Sequence, residues 1–368
     1  MVLADIDGTA ATIGGLLARR VVRRMSRGVG SLAMAAELNH RVLLAERPDG
    51  LVRPDDFTHD VQPVPEPGDG EVLVKVDWLG IDATVRTWLS KAEGYIEPVE
   101  IGEVVRGSGI GRVVASKSTK ISVGQMVATL PGWQEYAVVT DDPMLTTPLA
   151  DDADPQAALG IFGANGLTAY VGLTDIGRVK HGETVVVSAA AGATGSIAVQ
   201  IAKLLGCRVI GIAGTAEKCA WLVEDLKIDG AINHRTDDIP ARLRELCPQR
   251  VDVFFDNTGG PILEAVLGRI ADHARIVLCG AISSYNDHHK PPGPPSYLNL
   301  IARRARMEGF ISWDSWGRYG EIMEVLGGWV AEGRLRHRSH VFEGLRSAPE
   351  ALNAMFTGEN IGKIVIRV

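Results

Sequence analysis

One stretch of the sequence has a strand, a turn of small residues and a helix in the order that phosphate binding requires. Residues 184–187 are all β-branched, Gly192 and Gly195 follow three residues apart, and an apolar helix pattern starts at Ser196. Glycines let the backbone approach a ligand closely, and N–H groups at a helix N-terminus attract negative charge. With a second strand about 20 residues further on, the pattern predicts a dinucleotide pyrophosphate site. A tight packing turn is the alternative.

The tip of the second strand favours NADP over NAD. NAD sites use an Asp or Glu there to hold the adenosine ribose, but residues 211–216 contain no acid and Lys218 opens the next helix. A cation without a neighbouring carboxylate favours the 2′-phosphate of NADP. Arg235, after the third strand, is a second candidate for this contact. A merely solvated Lys218 is the alternative.

The sequence predicts no metal site and no activated nucleophile. No HExxH pair occurs, His337 and His340 have no thiolate or carboxylate at ligand spacing, and His288–His289 lie in a polar loop. Residues 107–111 (GSGIG) precede a strand rather than a helix, which predicts a β-turn rather than a phosphate loop. The phosphatase-like DIDGT at 5–9 lacks a buried strand before it, and no GxSxG elbow joins a strand to a helix.

The elements that must hold the phosphate-binding residues alternate between strands and helices from about Pro155 onward. The pattern predicts buried strands at 185–187, 209–212, 231–233, 251–255, 276–279 and 307–311, with helices at 196–205, 217–226, 239–247 and 262–270. This alternation is typical of a doubly wound parallel sheet. A helix at 319–332, a strand near Val341, a helix at 349–356 and a strand at 363–368 complete the prediction.

The part of the chain before Pro155 has a different character. Short strands, including 41–45 and 71–78, alternate with Gly- and Pro-rich turns, which predicts a small, mostly β domain. Residues 1–38 carry five arginines on one face of a helix pattern that Gly28 and Gly30 interrupt. We interpret them as a poorly ordered extension, with a membrane-surface or targeting segment as the alternative.

The composition indicates a globular protein in a reducing compartment. Lys and Arg number 38 and Asp and Glu 45, a net charge of −7 that excludes the basic surface of nucleic-acid-binding proteins. Four scattered cysteines predict no disulfide framework and fit a cytoplasmic location. The apolar windows 155–174 and 184–202 are interrupted by glycines and polar residues, so buried turns are expected rather than stable membrane association.

Six ordered motifs together resemble the zinc-free medium-chain dehydrogenase/reductase family. They are AAAGATGS at 189–196, GTAEK at 214–218, FDNTGG at 255–260, CGAISSYN at 279–286, RMEGF at 306–310 and GENIGK at 358–363. The similarity is to the prostaglandin reductase, alkenal reductase and bacterial curcumin reductase branch, and it runs from about residue 39 to residue 368. It implies an α/β fold: a discontinuous, mostly β GroES-like catalytic domain (39–160 and 334–368) and a Rossmann NADP-binding domain (161–333).

The activity that the resemblance implies is NADPH-dependent, metal-free reduction of the carbon–carbon double bond of an α,β-unsaturated ketone or aldehyde. Hydride goes to the β-carbon, and the enolate is then protonated. The resemblance also implies a homodimer acting on a small molecule. The cofactor-binding residues carried over from the family are Asn165, Thr168, Gly192, Ala193, Thr194, Gly195, Gly214, Lys218, His234, Asn257, Cys279, Ala281, Ile282, Ser283, Tyr285, Phe310, Ile311, Ser312 and Asn360.

The sequence departs from the family at three tyrosines. The family's Asp-Pro-Tyr-Met-Arg reads Asp-Ala-Thr-Val-Arg at 82–86, a second tyrosine falls at Ala302, and a third falls at His234. Tyr285 and Tyr95 are the remaining phenols, so both are candidate catalytic donors to the enolate oxygen. Packing of Tyr285 against the cofactor alone is the alternative. A quinone reductase on the same scaffold and a non-catalytic nucleotide sensor are the alternative functions.

Overall fold

The computed structural model describes residues 37–91, 94, 96–287 and 293–368. The DIDGT motif, the extension over 1–36, Tyr95 and His288–His289 lie outside the described residues. The strands are β1 Leu38–Leu44, β2 Phe57–Pro63, β3 Glu71–Ile81, β4 Ser108–Ser116, β5 Met126–Thr129, β6 Tyr136–Thr140, β7 Thr147–Pro148, β8 Thr184–Val187, β9 Arg208–Ala213, β10 Gly230–Asn233, β11 Val251–Asp256, β12 Ile270–Leu278, β13 Arg306–Gly309, β14 Ser339–Glu343 and β15 Lys363–Arg367. The α-helices are α1 Thr84–Trp88, α2 Pro155–Leu159, α3 Ala164–Val171, α4 Ala193–Leu204, α5 Ala216–Ala220, α6 Ile239–Leu246, α7 Gly260–Leu267, α8 Leu298–Arg303, α9 Tyr319–Ala331 and α10 Ala348–Thr357.

A six-stranded parallel sheet has the order β10-β9-β8-β11-β12-β13. Its strands alternate in side-chain direction: Val185 and Val187 lie in one core cluster with residues of α4 and α9, while Val186 lies in another with residues of α6 and α7. Because both faces are buried, the central strands β8, β9 and β11 are mainly apolar rather than alternating, whereas β12 and the edge strand β13 also carry charged residues. The predicted fold class, with six strands in a doubly wound parallel sheet, is confirmed.

Three helices in this half differ from the predicted bounds by three residues or more, and α4, predicted to start at Ser196, already starts at Ala193. The helix predicted at 262–270 ends at Leu267, because Gly268 caps it and β12 already begins at Ile270. The helix predicted at 217–226 is α-helical only to Ala220 and continues as a π-helical turn over Trp221–Asp225. Apolar residues at the start of β12 extended the helical pattern, and periodicity cannot assign so short a segment.

A seven-stranded sheet is built from two parts of the chain. Its order is β14-β15-β3-β4-β5-β7, with β6 also paired to β3, so all of its strands fall within 39–160 and 334–368, whereas β8 to β13 fall within 161–333. The β-turn predicted at 107–111 is wrong, because Gly107 directly precedes β4 and Gly109 and Gly111 lie inside it. A Cβ on Gly111 would lie 2.0 Å from the Lys75 carbonyl oxygen, so the close pairing of β3 and β4 requires glycine there.

Gly362 connects this sheet to the predicted pyrophosphate turn. Its N–H donates to the Ala191 carbonyl oxygen at 2.8 Å, and Gly362 and Gly192 form an isolated parallel bridge. A Cβ on Gly362 would lie 1.9 Å from the Arg338 carbonyl oxygen, and the residue has φ of +73°, so both packing and conformation require glycine. Within the described residues, no helix is long and apolar enough to cross a membrane.

Candidate active site

A cavity of about 1200 Å³ lies where the two sheets meet. One wall is formed by the segments that follow the carboxyl ends of β8, β9, β11 and β12, which is where open parallel sheets bind ligands. The opposite wall includes the end of β3, the beginning of α1, the first residues of β4 and the two residues before that strand. Residues from both sheets therefore surround one continuous space.

The glycine turn approaches the cavity with no side chain in the way. Gly192 caps α4, and a Cβ on Gly195 would lie 2.2 Å from the Ala189 carbonyl oxygen and 2.9 Å from Ala190 Cα. Because both neighbours are backbone atoms, glycine is required at position 195. The N-terminus of a 12-residue helix thereby reaches the cavity wall, where its dipole favours an anion.

A buried hydrogen-bond network fixes the side chains beside this turn. Lys363 is 3% exposed, and its Nζ donates to Asp82 Oδ1 at 2.6 Å and to the Ile81 carbonyl oxygen at 3.1 Å. Asn165 Nδ2 donates to the same Asp82 oxygen at 3.2 Å and to Thr194 Oγ1 at 3.1 Å. Because Asp82 only accepts, the Asn165 amide nitrogen must face it. Thr194 Oγ1 accepts from Asn165, so its own proton is free to donate to a ligand.

The end of the cavity beyond β9 is basic. Lys218 is 8% exposed, and Thr215 caps its helix by accepting from the Lys218 N–H at 3.2 Å. Burial and the nearby Arg235 guanidinium lower the pKa of Lys218. Arg235 is held in place by donation from Nη2 to the Thr357 carbonyl oxygen at 2.6 Å. Lys218, His234 and Arg235 all line the cavity, whereas no carboxylate does so at this end of the described chain.

Tyr285 lies at the end of the cavity beyond β12. Its hydroxyl oxygen accepts from the Ala281 N–H at 3.1 Å, so the phenolic proton is free to donate elsewhere. Burial raises the pKa of Tyr285, which keeps the hydroxyl protonated. Burial likewise raises the pKa of Cys279 to about 12, so this thiol is a neutral part of the wall. Asn257 is fixed by donation from Nδ2 to the Ser188 carbonyl oxygen at 2.7 Å.

The loop that carries Tyr285 is anchored to the other sheet by Arg86, which is 1% exposed. Arg86 Nε donates to Asn286 Oδ1 at 2.9 Å and to the Gly50 carbonyl oxygen at 3.1 Å, and Nη2 donates to the Pro48 carbonyl oxygen at 3.0 Å. One guanidinium thus binds both the segment at residues 48–50 and Asn286, which lie far apart in the sequence. Asn286 and, next to it, Tyr285 are therefore held over the cavity.

The remaining wall of the cavity is mainly apolar. It is formed by Trp88, Val104, Leu130, Met144, Leu145, Leu149, Phe162, Trp313 and Met355. Arg106 is the charged exception, and its guanidinium is used to hold the carbonyl oxygens of Glu97 and Pro98. A surface of this kind excludes water and favours an apolar substrate.

The structure brings together nearly all of the predicted cofactor residues. Of the 19 residues carried over from the family, Ala281 alone does not line the cavity; its role is to hold the Tyr285 hydroxyl through its backbone. The catalytic candidate Tyr285 lines the cavity, and Tyr95 lies outside the described residues. Neither the apolar wall nor the partners of Lys363 and Arg86 could be predicted from the sequence, because those contacts join distant segments.

The metal-free prediction is compatible with the donor groups present. Within the described ranges, no group of three or more His, Cys, Asp or Glu side chains is arranged to hold a metal ion. His337, which has no carboxylate at ligand spacing in the sequence, pairs through Nε2 with the distant Asp154 Oδ2 at 3.0 Å and is partly exposed.

Family models match both halves of the chain. A model described as the N-terminal domain of oxidoreductase matches residues 40–147, and one described as zinc-binding dehydrogenase matches residues 193–327. The NADPH-dependent curcumin reductase of Escherichia coli is 40% identical over 90% of this chain and 97% of its own length. The chain belongs to the medium-chain dehydrogenase/reductase family. The family and the oxidoreductase class expected from the sequence motifs are thus confirmed.

Two other members of the family are similar over most of their length. The NADP⁺-dependent 2-alkenal reductase of tobacco is 38% identical, over 83% of this chain and 89% of its own. The crystal structure of CurA from Vibrio vulnificus in complex with NADPH is 39% identical and has a TM-score of 0.85, covering 89% of this chain and 99% of that one. The similarity therefore extends over most of this chain and most of each relative.

Proposed function

We propose that the protein uses NADPH to reduce the carbon–carbon double bond of α,β-unsaturated ketones or aldehydes. One observation carries the proposal: a single cavity runs from the basic cluster at Lys218, past the glycine turn, to an apolar compartment beside Tyr285. A dinucleotide and an apolar acceptor can lie next to each other in such a space. The names of two relatives, a curcumin reductase and a 2-alkenal reductase, state substrates of this class.

The residues at the basic end fit NADP(H) better than NAD(H). A 2′-phosphate requires cations and tolerates no adjacent carboxylate, and Lys218 and Arg235 meet this requirement. Gly195 lets the turn close against the Ala189 backbone, and the N-terminus of α4 then faces the cavity, where a pyrophosphate can bind. Asn165 Oδ1 is a buried acceptor without a hydrogen-bond partner among the described residues, and the Thr194 hydroxyl has a proton to donate, so both can bind the cofactor.

The bound cofactor supplies the hydride. The protein must orient the double bond, exclude water and stabilise the negative charge that develops on the carbonyl oxygen. Tyr285 is suited to donate to that oxygen, since its own acceptor site is occupied by the Ala281 N–H and its raised pKa keeps the proton on the phenol. Water reaching the open side of the cavity supplies the proton for the α-carbon. Tyr95 remains the second candidate donor.

A panel of acceptors tests this function. NADPH oxidation is followed with a 2-alkenal, a diaryl enone, the matching saturated aldehyde and a quinone. The saturated ketone or aldehyde is the expected product of the enones, and deuterium from the transferable position of labelled NADPH is expected at the β-carbon. An allylic alcohol product, or turnover of the quinone alone, would contradict the proposal and in the second case favour quinone reduction. The homodimer, the cytoplasmic location and the domain bounds remain predictions.

A further inference from the structure

His234 lies beside two cations, Arg235 and Lys218. The distances from a Cβ placed on Gly214 or Gly358 show how these three side chains are arranged. A Cβ on Gly214 would lie 3.0 Å from His234 Nε2 and 3.4 Å from Arg235 Nε. A Cβ on Gly358 would lie 2.9 Å from Arg235 Nη2 and 3.9 Å from Lys218 Nζ. The Arg235 guanidinium is therefore near both the imidazole and the ammonium group. All three side chains line the same end of the cavity.

The carboxylates near this cluster are engaged elsewhere. Glu217, on the same helix as Lys218, is paired with Arg338, and Asp237 accepts from the Asn233 N–H at 2.9 Å. Glu359, in the loop after α10, accepts from the Thr357 hydroxyl at 3.0 Å. None of them lines the cavity. The charges that act on the His234 ring are those of Arg235 and Lys218, both positive.

We propose that His234 is a third ligand of the 2′-phosphate, neutral in the free protein and protonated when the phosphate is bound, so that NADP(H) binding takes up a proton near neutral pH. The inference rests on the proposed function, because it needs NADP(H) in the cavity. The family resemblance puts a tyrosine at this position, which cannot respond in this way since a phenol does not gain positive charge.

The direction of the pH effect on NADP(H) affinity follows from a comparison of the free site with the phosphate-bound site. In the free protein, partial burial and the cations Arg235 and Lys218 lower the pKa of His234 below its usual 6.5. A bound phosphate dianion opposes both cations and stabilises the imidazolium, so it raises that pKa. The added affinity is complete below the pKa of the free protein and is lost as the pH rises through the pKa of the complex. NAD lacks the 2′-phosphate, so its affinity does not increase when the pH falls through this range.

Binding titrations with NADP⁺ and NAD⁺, which are stable in acid, test the proposal without turnover. Wild type, His234→Gln and His234→Phe are compared, with His59→Gln as a matched control because His59 is exposed on β2 and does not line the cavity. The phosphate of free NADP⁺ also titrates near pH 6, but the free ligand is the same for every variant, so this contribution cancels in the ratio of variant to wild-type Kd.

For NADP⁺, this Kd ratio is expected to be about 1 near pH 8.5 and about three- to tenfold near pH 5.5 for both His234 variants. It should stay flat for NAD⁺ and for His59→Gln. Calorimetry near pH 6.5 in buffers of different ionisation enthalpy should show that wild type takes up more protons on binding NADP⁺ than His234→Gln does.

Two other results would overturn the role of His234. A pH-independent ratio would mean that the ring does not gain charge. Equal loss of NADP⁺ and NAD⁺ affinity in His234→Gln, restored in His234→Phe, would make the ring a stacking surface for adenine. If wild type binds NAD⁺ as tightly as NADP⁺ at every pH, the cofactor assignment itself is wrong, and this outcome is separate because it does not depend on any variant.

Discussion

Replacing Lys218 by alanine should weaken NADPH binding and leave NADH binding nearly unchanged. The Lys218 side chain is 8% exposed and lines the basic end of the cavity, so its ammonium would meet the 2′-phosphate with little screening by water. A charge-assisted hydrogen bond in such a site contributes about 1.5 to 3 kcal/mol, which corresponds to about a ten- to hundredfold increase in Kd. The helix itself should survive, because the Thr215 cap bonds to the backbone of residue 218.

The same site predicts how affinity responds to alkaline pH. Burial and the Arg235 charge lower the pKa of Lys218, so the free protein loses this positive charge at a lower pH than an ordinary lysine does. NADPH affinity should therefore fall as the pH rises through that lowered value, and Lys218→Ala should abolish this part of the pH profile.

Fluorescence titration of both cofactors with wild type, Lys218→Ala and Lys180→Ala provides the measurement. Lys180 is exposed and does not line the cavity, so its replacement should change neither Kd. If Lys218→Ala weakens NADH as much as NADPH, the lysine supports the fold of the site instead of binding the phosphate, and the reasoning from charge is refuted.

Four other variants or treatments have definite expected outcomes. Gly195→Ala should weaken both cofactors more than about tenfold, because its Cβ meets backbone at 2.2 Å, whereas Gly320→Ala, with open space around it, should bind normally in the same titration. Lys363→Met should lower the free energy of unfolding by about 1 to 3 kcal/mol in urea denaturation, and adding Asp82→Asn should recover part of it. Tyr285→Phe should lower kcat and kcat/KM for an enone together, by up to about 10²- to 10³-fold if the phenol donates to the enolate oxygen. Unchanged rates in Tyr285→Phe, in Tyr95→Phe and in the double variant would leave solvent as the sole donor. Chelators should leave the rate intact, and elemental analysis should find no stoichiometric zinc.

The parallel sheet and the glycine turn were predictable because their signals are local. A β-branched strand, Gly192, Gly195 and a helix follow each other directly, and the acid-free strand tip lies next to Lys218 in sequence. Local patterns gave a wrong prediction where a strand needs glycines because the neighbouring strand packs closely against it. Residues 107–111 have the composition of a turn, and only the approach of the Lys75 carbonyl oxygen to Gly111 explains the strand.

Contacts between distant segments could not be predicted at all. Lys363 with Asp82 and Arg86 with Asn286 join residues that no periodicity relates, although each residue appears in a motif or beside one. Their residue types were visible, but their partners depend on how the two sheets meet. The resemblance to a family proposed 19 cofactor residues, and 18 of them line one cavity, whereas Ala281 does not line it and instead donates its backbone N–H to Tyr285.

The bridge between Gly362 and the turn at Ala191 and Gly192 has a consequence for how the protein is made. During synthesis, β8 to β13 emerge well before β15, and the second half of β3, which pairs with β4 on one side, must wait for β15 on the other. Pairings this distant in sequence form slowly, because a long loop must close first. The Rossmann half can fold on the ribosome as a unit, but its phosphate turn acquires the backbone bond from Gly362 only after β15 has docked. A nascent chain is therefore unable to hold its nucleotide properly until the other half is assembled, and chains shortened before residue 362 are expected to be folded in part and empty.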